Sequence, residues 1–159
     1  MAANPIDSTL RQVALSIIDG YNSSCVDDIM SYRATNCIHQ IMPSSSSRPP
    51  MNNSTYSTFW VCTMLPHFRN LHVTLHDLIE DAAANKVVLW ASYAADTDLG
   101  PYANEYMALL YFNLEGKVEK FVEFVDSKSV GFFLRLRDLI VPKEGTNGAT
   151  NNHKLRGKL

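Results

Sequence analysis

From residue 71 onward the chain reads as four strand segments joined by short turns, the first of them, "NLHVTLHDLIED", alternating with period two, and little else constrains its fold as strongly. The segments are residues 71–80, 86–96, 103–113 and 117–125. Alternation with period two marks strands, because successive side chains on a strand point to opposite faces. The linkers "EDAAAN" and "NLEGK" are short enough that consecutive strands must pair as antiparallel hairpins. Within the third segment both faces are apolar. Tyr106, Ala108, Leu110 and Phe112 lie on one side, and Met107, Leu109 and Tyr111 on the other. A sheet with two apolar faces needs two covers.

The N-terminal half supplies the first cover. In "DSTLRQVALSIIDGYN", Leu10, Val13, Ala14, Ile17, Ile18 and Tyr21 recur at helical spacing behind Ser8, a natural N-cap. Ser24 to Asp27 resembles a capping signature for a second short helix through Val26, Ile29 and Met30. "TNCIHQIMP" (35–43) reads as a short strand ended by proline, and "PSSSSRPPMNNS" as a polar loop. A third helix is expected from Ser54 to Leu65, stopped by Pro66, with Tyr56, Trp60 and Met64 on one face. A last amphipathic helix covers about 128–140. The reading is a single α+β domain over residues 1–142, with N-terminal helices on the concave face of a curved antiparallel sheet. The polar tail 143–159 is expected to be disordered, and a truncation after Lys143 to change little. A second copy of the chain is the simplest cover for the convex face, so a homodimer is expected.

Composition and motifs exclude several function classes. A net charge of −2 over 159 residues gives no electrostatic reason to expect nucleic acid. No run approaches the roughly 18 apolar residues of a membrane span, and the N-terminus lacks a secretory pattern. The sequons at Asn22 and Asn53 therefore carry little weight, and a cytoplasmic location is expected. The final Gly-Lys-Leu only weakly echoes a peroxisomal signal. Cys25, Cys37 and Cys62 are odd in number and widely spaced, which indicates neither a disulfide framework nor a zinc site. His72 and His76 would meet on a helix, but on a strand they lie roughly 13 Å apart. Phosphate loops and hydrolase motifs are absent. No metal or cofactor is expected.

What remains is a set of polar residues among apolar ones. His39 and Gln40 interrupt an otherwise apolar strand, and burying them unpartnered costs free energy. Alternation puts His39 with Cys37 and Ile41, and Gln40 with Ile38 and Met42, so only one of the two can face inward. Parity alone does not say which.

"YRATNCIHQIMP", "DTDLGPYANEY" and "FVEFVDS", together with the order of elements over residues 8 to 140, resemble the NTF2-like cone in its SnoaL-like branch. More narrowly, they are similar to small fungal isomerases of secondary metabolism that act on tetrahydroxanthones and meroterpenoids. The resemblance implies a conical pocket in which cofactor-free acid–base chemistry is done on hydrophobic polycyclic substrates. It points to His39 rather than Gln40 as the inward residue, and to Glu123, three positions before Asp126, as an inward carboxylate beside Phe121. It also turns Asn104 and Tyr106 inward, where amide and phenol can hold an enolate. Trp60 and Met64 are expected in the pocket wall. Arg33, Gln40, Met42 and Ser92 are further candidates for substrate contact, Arg33 as the partner of a phenolate or carboxylate. Asp96, on the same strand face as Ser92, is expected to cap a turn. The implied activity is a double-bond shift next to a ketone. A dehydratase similar to scytalone dehydratase, a cyclase, and a binding module without chemistry are the alternatives.

Overall fold

The computed structural model describes residues 8–141; the anticipated disordered tail lies outside them. Helix α1 (Thr9–Ser23) and the short α2 (Val26–Ser31) lead into strand β1 (Arg33–Met42). A helical segment follows: α3 (Asn53–Phe59), a π-helical stretch Trp60–Met64, and a last turn, α4 (Leu65–His67). The meander β2 (Phe68–Asp81), β3 (Lys86–Thr97), β4 (Gly100–Phe112) and β5 (Val118–Val125) then runs to α5 (Ser127–Ile140).

All four segments form strands, and neighbours in the meander pair antiparallel as their short turns require. Strand β1 joins the far edge in parallel to β5, giving a mixed sheet of order β1-β5-β4-β3-β2. A parallel neighbour is possible because β1 reaches the meander through the long helical connection rather than a hairpin. The free side of β1 is closed at His39, whose N–H and C=O both bond to the backbone of Met51 at 2.8 Å.

The helices are fixed to the sheet by side chains at their ends. Ser8 Oγ accepts from Arg11 N at 3.1 Å, capping α1, and donates to Glu80 Oε2 of β2 at 2.5 Å. At the other end, Asn22 Oδ1 accepts from Val73 N (2.7 Å) and Nδ2 donates to Val73 O (3.1 Å). Gly20 allows α1 to meet α2: a Cβ there would stand 3.2 Å from the Asp28 carbonyl oxygen. The core lies between helices and concave face, with Ile17, Ile29, Leu89, Leu110, Val118 and Phe121 fully buried.

The third helical run passes through a wide π turn and ends at His67, one residue beyond Pro66. The convex face of the sheet is left open. Trp90 (43 % exposed), Met107 (49 %), Phe124 (56 %) and Ile79 (60 %) all lie on it.

Candidate active site

Strand parity builds the site. On β1, Cys37, His39 and Ile41 are buried on the concave face, while Ile38 is exposed. On β5, Phe121, Glu123 and Val125 share that face. Parallel register sets His39 opposite Phe121 and Ile41 opposite Glu123, so His39 and Glu123 are diagonal neighbours. Their side chains meet, His39 Nε2 to Glu123 Oε2, at 3.0 Å. The imidazole is stacked between two rings, Tyr56 and Phe121, each with its centroid 4.5 Å away.

This pair sits in the wall of a cavity of about 480 Å³. Tyr21, Tyr56, Tyr93, Tyr102 and Tyr106 line it, with Trp60, Phe59, Phe121 and Phe133. Tyr21 Oη links Tyr56 Oη (2.8 Å) and Tyr32 Oη (3.1 Å) into a buried chain of phenols. The Tyr93 hydroxyl and Trp60 Nε1 are buried without a hydrogen-bond partner among the described residues. The indole lies close enough to the Tyr56 hydroxyl to influence it, which leaves the Tyr93 hydroxyl as the clearer unpaired polar group in this aromatic wall.

Burial sets the protonation states. It pushes the His39 pKa down, opposed by the bond to Glu123 and the charge of that carboxylate, and assisted by the Arg33 cation. His39 is therefore held neutral, with Nε2–H donated to the carboxylate. Its Nδ1 is buried without a partner. As a bare lone pair that nitrogen is tolerable; as a charged N–H it would be costly. Burial, with the Glu123 charge behind it, raises the Tyr106 phenol well above its ordinary value. A phenol so raised stays protonated and can donate a hydrogen bond rather than act as a base.

The structure gathers His39, Glu123, Tyr106, Asn104, Phe121, Trp60 and Met64 around one cavity. It does not bring Arg33, Gln40, Met42 or Ser92 to its wall. Gln40 and Met42 pair with Val122 and Phe124 and point to the convex side. Ser92 lies on the opposite parity to Tyr93, where its hydroxyl meets His76 Nε2 at 2.9 Å. Arg33 is buried behind Tyr56, its guanidinium 4.4 Å from the ring centroid and its Nε 2.7 Å from Asn53 Oδ1. Sequence reasoning missed Tyr93 and Tyr102, although Tyr102 shares the parity of Asn104 and Tyr106, and Tyr93 pairs with Asn104. It also missed Arg48, which lies in a loop without periodicity. Among the described residues no group of three or more His, Cys, Asp or Glu is placed to hold a metal, and no helix is long and apolar enough to cross a membrane.

No family model matches the chain. Fungal proteins do, among them the following three. Core atranone cluster (CAC) protein 11 of Stachybotrys chlorohalonatus is 33% identical over 112 residues, 70% of this chain and 84% of that protein. Monooxygenase nsrQ of Aspergillus novofumigatus is 31% identical over 126 residues, 78% of this chain and 82% of that one. Austinoid biosynthesis cluster protein J of Aspergillus calidoustus is 32% identical over 140 residues, 86% and 81%. Among solved structures, the BvnE pinacolase of Penicillium brevicompactum superposes with a TM-score of 0.77 at 29% identity, covering 86% of this chain and 96% of its own. A putative SnoaL-like polyketide cyclase from Jannaschia shares the fold at 15% identity, with a TM-score of 0.65 and 82% and 94% coverage. The chain thus belongs to the family of small fungal secondary-metabolite biosynthesis proteins built on the NTF2-like, SnoaL-like cone.

Proposed function

We propose that this protein is a cofactor-independent isomerase that moves a proton and a double bond next to a ketone in an oxygenated polycycle such as a dihydroxanthone. The observation that carries the reading is the His39–Glu123 contact of 3.0 Å in the wall of an aromatic cavity. Glu123 takes the proton from the carbon beside the carbonyl. The neutral His39 holds one carboxylate oxygen through Nε2–H and leaves the other free. The Tyr106 phenol and the Asn104 amide, on the neighbouring strand and lining the same cavity, donate to the oxygen of the enolate as charge develops there. The same carboxyl group, its proton exchanged with solvent while the enolate is bound, then delivers a proton to the far end of the conjugated system. A flat, fused-ring substrate suits the aromatic wall, and a volume of about 480 Å³ suits three or four rings. The working unit is a homodimer that covers the apolar convex face.

The test is incubation of the purified protein with a candidate dihydroxanthone in deuterated water. Isomerisation gives a product of unchanged formula that carries deuterium at the exchanged carbon. Loss of water would identify a dehydratase, and gain of an oxygen atom an oxygenase. Binding with no turnover of any polycyclic ketone would leave a carrier rather than an enzyme.

A further inference from the structure

A second cavity of about 530 Å³ lies beside the first, between the loop 46–49 and α5. The two share Arg48, Pro49, Phe59, Thr63 and Phe133 in their walls, so they adjoin, with Arg48 at the boundary between them. The guanidinium carbon of Arg48 stands 4.6 Å from the centroid of Phe133. Stacking on a ring uses the flat face of a guanidinium and leaves its edge, with five N–H donors, unspent. Among the described residues Arg48 forms no ion pair and no hydrogen bond. Burial lowers its pKa, and the Glu123 charge acts against that. The other arginine of the second cavity, Arg137, has its charge met by Asp138 Oδ1 at 2.9 Å.

The loop that carries Arg48 is held at both ends. A 3₁₀ turn at Ser44–Ser46 precedes it, and Met51 is locked to His39 by two backbone bonds. Arg48 is thus a positioned cation, partly desolvated and facing a cavity rather than a carboxylate. Such a group gains most from an anion that arrives with the ligand.

We infer that Arg48 is the anchor of a second subsite, and that the natural substrate carries a delocalised oxyanion (a carboxylate or the equivalent enolate of a 1,3-dicarbonyl) on the part that reaches past Phe133. The inference rests on the polycyclic-ligand reading of the main cavity and adds charge selectivity to it. Glu123 alone would repel an anionic ligand, so the sign of the preference reports Arg48.

The probes are 9-oxoxanthene-2-carboxylate and its methyl ester, titrated calorimetrically into the full chain. The acid is expected to bind at least tenfold more tightly than the ester, with the gap narrowing at high salt. Arg48→Gln should erase the preference by weakening the acid alone, Arg48→Lys should keep part of it, and Arg137→Gln should leave it intact. Equal binding of acid and ester to the wild type would overturn the subsite while leaving the cavity reading in place. A preference that survives Arg48→Gln, or that vanishes in Arg137→Gln, would overturn the assignment to Arg48. If neither probe binds, the polycyclic-ligand reading fails and the subsite fails with it.

Discussion

His39 is 1 % exposed and Glu123 22 % exposed, although their side chains touch. A substrate in the cavity therefore reaches the carboxylate more readily than the imidazole, which is sandwiched between rings. In the proposed isomerase Glu123 would carry the proton and His39 would aim the carboxylate. Glu123→Gln is expected to lower kcat by about 10²- to 10⁴-fold, measured by deuterium incorporation into product. His39→Ala, read in the same assay on protein shown to be folded, is expected to cost about 10²-fold. A folded His39→Ala protein with wild-type turnover would remove histidine from the mechanism. Acid should also act through His39. Its folded pKa lies below the ordinary value of 6.5, so in the window just under that value the unfolded chain binds a proton that the folded one refuses. The histidine's contribution to stability is complete above that pH and is lost progressively as the pH falls below it. The melting temperature is expected to fall between pH 7.5 and 5.5, and to fall less in His39→Gln.

At the level of elements, one residue ties β1 to α3. Asn53 Oδ1 accepts from Arg33 Nε at 2.7 Å, and its Nδ2 donates to Ala34 O at 2.8 Å and Thr35 O at 3.2 Å. Asn53→Ala would strip the Nε hydrogen bond from a buried guanidinium and take a donor from the Ala34 and Thr35 carbonyls. A loss of about 2–3 kcal/mol is expected, seen as a fall of roughly 5–10 °C in melting temperature. The same bonds engage the amide of one sequon in the folded chain, and Val73 engages that of Asn22. The strands of the meander could be read from the sequence because alternation and turn length act locally. The parallel pairing of β1 could not, because periodicity assigns a residue to a face and not to a neighbour. The helix stop was legible, since the helical run ends at His67, beside Pro66. Within the site, Glu123 and Tyr106 were placed by resemblance and Trp60 by helical spacing. Ser92 was misplaced because nothing local tells a strand with two useful faces which of them is concave. Arg48 obeys no period at all, and only the folded loop shows where it goes.

For the whole molecule, the open convex face sets the expectation. Trp90, Met107 and Phe124 lie on three adjacent strands, an apolar surface that water penalises until it is covered. Light scattering at micromolar concentration is expected to give about twice the chain mass of 17.8 kDa. Met107→Glu with Phe124→Lys should give the single-chain mass with the cavity still intact, as read by probe binding; a monomeric wild type would dispose of the dimer. The parallel edge pair has a consequence of a different kind. His39 and Glu123 are separated by 84 residues, and the strands that carry them are neighbours only at the end. On a ribosome that adds about 5–20 residues per second, β1 emerges several seconds before the strand it must join. During that interval its edge and its inward face have no native partner in the sheet, while β2, β3 and β4 can already pair through local hairpins. The strand made first thus waits longest for its neighbour in the sheet, and the His39–Glu123 contact cannot form until nearly all of the described fold has been synthesised.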